Sequence, residues 1–218
     1  MAILNYCPTM TPYLEIIFQD DDILALNKPS GLLSVPGKAK EHVDCLQTRA
    51  QRVFPTATVV HRLDMATSGL MVMALNRPAH RHISKQFELR ETAKTYQAVV
   101  FATVQQDCGE INLPLICDWP NRPRQMVDHE RGKKALTQWR VLERSNNTTR
   151  LELKPITGRS HQLRVHMLSM QHPIIGDRLY AHDQALEMAD RLNLHAMFLS
   201  FRHPVTEKML LFKSKVPF

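Results

Sequence analysis

The residue best suited to chemistry in this sequence is Asp64. It closes the run His61-Arg62-Leu63-Asp64 and is followed by Met65-Ala66-Thr67-Ser68-Gly69-Leu70. Two apolar runs, Ala57 to Val60 and Leu70 to Leu75, flank it and read as buried strands. Thr67-Ser68-Gly69 between them is turn chemistry. A carboxylate at a strand end, with Arg62 two positions before it, can serve as a base or a nucleophile. The competing reading is local: Asp64 closes an Asx turn on its own backbone.

The complementary charge lies in Thr157-Gly158-Arg159-Ser160-His161-Gln162-Leu163-Arg164-Val165-His166. With Ser160 as helix cap, Arg159 sits just before a positive helix N-terminus, a favourable place for a phosphate. Arg164, one turn in, can hold a buried carboxylate bidentately, and Asp64 is the candidate. His161 and His166 are five apart and fall on different faces of a helix, unlike the spacing of a helical zinc pair. No metal is expected. Lys94-Thr95-Tyr96 is shorter; a tyrosine there can be core, or its ring can stack on a base while its hydroxyl relays a proton.

The elements that must position these groups are mostly strands. Leu14 to Phe18 and Ile23 to Leu26 are joined by Gln19-Asp20-Asp21-Asp22, and Asn27-Lys28-Pro29-Ser30-Gly31-Leu32 must then be a loop. Thr95 to Phe101, Lys134 to Leu142, Arg150 to Lys154, Met197 to Arg202 and Met209 to Lys213 complete the strands. Helical spacing occurs over Val43 to Phe54, Arg77 to Arg90 and Ser160 to Met170. Links are too short for many crossover helices, so antiparallel pairing should dominate an α+β fold. Of seven glycines, Gly31, Gly69, Gly158 and Gly176 fall in polar turn-rich blocks. These blocks either converge on one cleft or form four unrelated loops.

Composition narrows the class. The chain has 218 residues, 44% of them hydrophobic, enough for an ample core. It holds no apolar run of membrane-spanning length, and its first residues do not resemble a secretory signal. Four cysteines with no CxxC pair suit a reducing compartment, so a cytoplasmic address is expected. The formal charge of +7 favours a polyanionic partner. Arg77, His80, Arg81, His82 and Lys85 form a basic helix, and Arg122, Arg124, Arg131, Lys133 and Lys134 a basic loop. Together they match a phosphate-backbone footprint, against the alternative of ordinary solvated surface.

The ordered blocks Asn27 to Leu32, His61 to Leu70, Lys94 to Tyr96, Thr157 to His166 and Pro173-Ile174-Ile175-Gly176-Asp177 resemble those of the RluA-type RNA pseudouridine synthases. Leu194-His195-Ala196 resembles the family's late segment, and the likeness runs from about residue 14 to the C-terminus. It implies a single pseudouridine-synthase-like domain over 14–218, a curved, mainly antiparallel mixed sheet with flanking helices and a central RNA-binding cleft. Residues 1–13 would be an N-terminal arm, with no N-terminal S4 domain. Compact members of this kind imply structured RNA as partner: a tRNA anticodon stem-loop and a large-subunit rRNA hairpin. A monomer without cofactor or metal is expected.

By position, the resemblance makes Asp64 the catalytic aspartate, Tyr96 the cleft tyrosine and Arg164 the aspartate's ion-pair partner. Arg62 resembles the residue that fills the gap left by a flipped nucleotide. Leu63 and Leu163 are pocket walls. Arg159, Arg77, Arg81, Arg122 and Arg124, with His61, Lys94 and Gln162 from the same motif blocks, are assigned to RNA binding. Two rivals stand: a non-catalytic RNA-binding module, and a nucleoside hydrolase. The hydrolase would want a second carboxylate, and the motif blocks offer only Asp177, expected to be distant.

Overall fold

The computed structural model describes residues 6–218. In chain order the strands and helices are β1 (Ile16–Gln19), β2 (Ile23–Lys28), α1 (Leu46–Gln51), β3 (Thr58–Val59), β4 (Ser68–Ala74), α2 (Arg77–Leu89), β5 (Ala93–Phe101) and β6 (Cys108–Asn112). There follow β7 (Leu115–Cys117), β8 (Gln125–Val127), β9 (Leu136–Arg144), β10 (Thr148–Pro155), α3 (Gln162–Ser169), α4 (Asp183–Glu187), β11 (Leu194–Arg202) and β12 (Met209–Lys213). The result is a mixed α+β fold whose sheet pairings are mainly antiparallel. Two compact units emerge: residues 6–94 with 196–217, and residues 95–195 with 218.

In the first unit β4 is the centre. It pairs with β2 along its length and with the short β3, and is buried at every position. Such a strand reads as an unbroken apolar run because both of its faces are covered. Leu70 and Val72 point into a cluster with Ile23, Ala25, Ile83, Leu199, Phe201 and Phe212. The α2 helix covers this cluster. Asn76 caps it by accepting from Ala79 N–H at 2.9 Å, and it stops where Arg90 turns left-handed. Gln86 fastens it to β11, accepting from Arg202 N–H and donating to Arg202 O. Arg77, Arg81 and Lys85 remain on the exposed face.

The expected helix over Val43 to Phe54 is shorter. Cys45 takes an extended conformation and caps α1, so Val43 and Asp44 are not part of it; a single 3-10 turn, Lys40–His42, precedes them. Within α1, Arg49 is fully buried and bonds Asp44 bidentately at 2.7 Å. It also donates to Thr9 O and Tyr13 O, and so ties the N-terminal arm to the unit. The first five residues of the expected arm lie outside the described residues. A further clamp closes the β1–β2 turn, where Asp20 Oδ1 accepts from Asp22 and Ile23 N–H and Asp20 Oδ2 bonds His203 Nε2.

In the second unit β5, β10, β9 and β6 pair in that order, and β7–β8 form a separate hairpin. The reading from sequence had no strand at β6, β7 or β8. Alternation along β10 is as expected, with Leu151 and Leu153 buried. α3 differs from expectation in two respects. Its cap is His161 in a left-handed conformation (φ 53°) with no side-chain capping bond, not Ser160. It is also buried on all sides from Gln162 to Met167 rather than along one stripe, as for a helix enclosed within a unit.

Gly69 tests how tightly the central strand is packed. Its φ is +116°, and an added Cβ would meet the Ala196 backbone, with the amide nitrogen at 2.6 Å. Gly69→Ala should therefore cost at least about 3 kcal/mol in chemical denaturation, since both strain and overlap with backbone must be relieved. A loss below about 1 kcal/mol would mean that β11 can yield.

Candidate active site

Asp64 lies in the loop between β3 and β4, half-buried, next to the exposed Arg62. The loop has little regular structure of its own, so other groups must satisfy its backbone. They come from the segment after β2. Lys28 is fully buried and directs its ammonium at Pro29 O (2.9 Å), Leu32 O (2.7 Å) and Met65 O (3.0 Å). Ser30 Oγ donates to Ala66 O, and Gly31 N–H to Met65 O. Gly31 adopts φ +84°, a conformation that costs glycine little. Ser34 Oγ donates to Leu63 O at 2.6 Å and accepts from Leu63 N–H at 3.2 Å.

Every residue from Leu63 to Ala66 except Asp64 thus has its backbone tied to the segment 28–34. Asp64 instead closes a turn within its own loop, its carbonyl accepting from Thr67 N–H at 3.1 Å. The segment is held in turn by α1, whose Leu46 and Gln47 N–H groups donate to Leu33 O and Ser34 O. Tyr6 completes the support: its hydroxyl accepts from Leu33 N–H and donates to Asp44 O. Two of the glycine-bearing blocks, those of Gly31 and of the Asp64 loop, therefore come together. Lys28 is the support that sequence reasoning missed, because a lysine in a turn-rich segment gives no sign of being buried.

His61 has a structural bond. Its Nε2 accepts from Val72 N–H at 3.0 Å, and its ring stacks on Phe87 at 4.5 Å. That bond requires an unprotonated Nε2. Burial, with the charge of Lys94 second, pushes the imidazole down to about 3. Lys94 itself is half-buried, 5.8 Å from the Phe87 ring centroid, and burial lowers its ammonium pKa.

In the second unit Tyr96 is half-buried on β5, opposite Leu153 of β10. Arg164 is buried on α3 and forms a two-pronged pair with Asp177, Nε to Oδ2 at 2.8 Å and Nη2 to Oδ1 at 2.6 Å. Asp177 Oδ1 also accepts from the Leu179 and Tyr180 N–H groups. Asp177 had been expected only as a distant carboxylate; it is a bidentate partner of Arg164. Tyr180 lies 5.0 Å from the Arg164 guanidinium, and its hydroxyl is shared with His161 Nδ1 at 2.7 Å.

Gln162, expected at the RNA-binding face, has its side-chain amide engaged within the protein. Its Oε1 accepts from Thr157 Oγ1 and Arg159 N–H, and its Nε2 donates to Leu136 O and Thr137 Oγ1. A buried amide so engaged holds α3 to β9. Leu63 and Leu163 are buried. Arg159 is exposed, with its Nε on Lys134 O. Arg122 and Arg124 are exposed on the β7–β8 hairpin. His166 bonds Thr137 Oγ1 and Leu113 O, and burial lowers its imidazole pKa. Among the described residues the group with ligand atoms close enough for a metal is Asp20, Asp22 and His203, the turn clamp already described. No described helix is long and apolar enough to cross a membrane.

Residues 22–169 match a family model described as RNA pseudouridylate synthase. Over the full length of both chains the protein is 53% identical to the dual-specificity RNA pseudouridine synthase RluA of Escherichia coli (strain K12). It is 50% identical to the enzyme of the same name from Haemophilus influenzae, again over all of both chains. Among solved structures, human RNA pseudouridylate synthase domain containing 1 superposes with a TM-score of 0.81 at 28% identity, covering 97% of this chain and 87% of that one.

Two outcomes follow from the geometry of the loop. Lys28→Met keeps the volume but strips the ammonium from three carbonyls, of which Met65 O keeps the Gly31 N–H and the buried Leu32 O loses its lysine donor, so it should cost about 2–4 kcal/mol. It should also speed amide exchange at Thr67, read by hydrogen–deuterium exchange; unchanged exchange would mean that the loop holds itself. The second outcome concerns pH. His61 has a folded pKa near 3 against 6.5 unfolded, so the unfolded state takes up the proton first on acidification. Its contribution is complete above pH 7 and is lost as pH falls from 6.5 toward 3. The urea midpoint of His61→Phe should therefore fall less than that of the wild type between pH 7.5 and pH 5.

Proposed function

The chain belongs to the RNA pseudouridylate synthase family, and on that premise we propose that it isomerises uridines of structured RNA to pseudouridine, with Asp64 as the reactive carboxylate. The observation that carries this reading is the support of the Asp64 loop. Lys28, Ser30, Gly31 and Ser34 hold the backbone on both sides of Asp64, and Arg62 stands exposed beside it. A reactive carboxylate must be held to within a fraction of an ångström of productive geometry, which a loop fastened on both sides of it can do.

The chemistry sets the remaining roles. Uracil must leave C1′ through N1, turn, and rejoin through C5; the C5 hydrogen is then lost as a proton and N1 gains one. A stacked base cannot do this, so the nucleotide must leave the helix at a cost of about a few kcal/mol. Arg62 fills the vacated place, because a guanidinium plane can replace lost base stacking. Asp64 reacts in its ionised form, and a site dry enough for uracil opposes ionisation. Arg164 supplies the compensating cation, its plane fixed by Asp177. Tyr96 stacks on the uracil and takes part in proton removal.

The relatives are dual-specificity RNA pseudouridine synthases, which supports two RNA substrates for this chain as well; in this reading they are a uridine in a tRNA anticodon stem-loop and one in a large-subunit rRNA hairpin. Arg77 and Arg81 on α2 and Arg122, Arg124 and Arg159 in the second unit, all exposed, contact phosphates in this reading. The enzyme acts as a cytoplasmic monomer; the four free cysteines fit a reducing compartment.

Tritium release from RNA labelled at uridine C5 tests the proposal. Wild type should release tritium without freeing uracil. Asp64→Asn should lower turnover by about 10⁴-fold or more while RNA affinity stays within about tenfold, because the amide keeps the shape but not the charge. Free uracil instead would make the protein a hydrolase, and binding without either product a non-catalytic module.

A further inference from the structure

The β7–β8 hairpin ends in Asp118-Trp119-Pro120-Asn121-Arg122-Pro123-Arg124, and it holds a large aromatic ring in water. Trp119 is 64% exposed, whereas the other tryptophan of the chain, Trp139, is 5% exposed in β9. An indole left in solvent on a well-held loop forgoes the burial that drives folding. Tryptophan, with an apolar body and a polar N–H, is enriched at binding interfaces.

The tip is stiff. Asp118 N–H donates to Arg124 O, Asn121 N–H to Asp118 O and Arg124 N–H to Asn121 O, each at 3.0 Å. The Asn121 amide donates to both carboxylate oxygens of Asp118. At the root Leu115 and Lys133 exchange two backbone bonds, and Gln125 N–H donates to the Tyr180 hydroxyl at 2.7 Å. Arg124 lies over the Tyr180 ring at 5.3 Å. The ring of Trp119 is therefore presented on a frame fastened to the same tyrosine that flanks Arg164.

The surroundings say what kind of ligand fits. Arg122 stacks its guanidinium over the indole at 4.5 Å, forming a paired planar surface, cationic on one side. Arg124, Arg131, Lys133 and Lys134 are exposed nearby in the chain, and the Asp128 carboxylate is paired with Arg131 at 3.2 Å. A flat π ligand carrying negative charge suits this surface, and an unpaired nucleotide is such a ligand: its base stacks and its phosphate meets the arginines. A hydrophobic protein partner would want an apolar patch around the ring, but the group stacked on it is the Arg122 guanidinium, and the same loop carries the exposed Asn121 and Arg124.

We propose that Trp119, backed by Arg122, is a stacking platform for an unpaired nucleobase of the substrate RNA other than the uridine that reacts. The inference rests on RNA being the substrate. It gives the hairpin a part in choosing among stem-loops: an RNA with no base free to reach the platform binds less well, whatever the identity of its target.

The test uses the full chain and a synthetic stem-loop RNA with a reactive loop uridine. Trp119→Ala should bind this RNA about 5- to 100-fold more weakly, the range of a base–aromatic stack, and Trp119→Phe should restore most of the loss. One abasic substitution in the RNA loop, away from the target, should weaken binding to wild type by a similar factor and to Trp119→Ala no further. In a Trp139→Phe background the remaining indole fluorescence should be quenched by the intact RNA and not by the RNA with that abasic position. Wild-type affinity in Trp119→Ala, or equal abasic penalties in both proteins, overturns the platform. If the wild type neither binds nor converts any RNA, the parent reading of RNA as substrate fails as well.

Discussion

The ammonium of Lys28 is the constraint on which the first unit depends. It is removed from water and surrounded by the carbonyls of Pro29, Leu32 and Met65. A buried cation is tolerated only where its hydrogen bonds are met, and these oxygens come from two chain segments far apart in sequence. The ion therefore joins the segment after β2 to the loop carrying Asp64. Ser30, Gly31 and Ser34 add further bonds along the same line, and Tyr6 and α1 hold the segment from behind. A loop of irregular backbone, usually the least stable part of a fold, is here tied at successive residues.

The second unit applies the same principle with opposite charge order. Arg164 is buried inside a helix enclosed on all sides, and Asp177 answers it with a planar two-pronged bond. The pair fixes the guanidinium plane as well as its charge. Tyr180 then links this pair to His161 and to the root of the β7–β8 hairpin. Histidines in both units serve this rigidity in neutral form: His61 and His166 have depressed pKa values because burial disfavours their charged state. They act as hydrogen-bonding spacers rather than as ligands or switches.

Much of the fold was legible because it follows from local pattern. The apolar runs around β2 and β4, the alternation on β10 and the Asn76-Arg77-Pro78 start of α2 each state their structure within a few residues. The failures were equally physical. The strands β6, β7 and β8 are only three to five residues long and each mixes burial classes, so none is long enough to show a periodicity. The start of α3 was misplaced because Ser160 has cap chemistry, while the backbone turns at His161 instead.

The sequence by itself determined which groups could do chemistry and in what order they occur: an Asp64 flanked by turn residues, an Arg164 able to grip a carboxylate, and basic residues spaced along one helix and one loop. Side-chain type and spacing carry that much, because they decide what bonds a residue can make. Tertiary structure alone decided which bonds are made. Lys28 reaches Met65, 37 residues away; Ser34 reaches Leu63, 29 away; the Gln162 amide is spent on Leu136 and Thr137. Those choices depend on which distant backbone groups burial strands without water, and no local pattern records them.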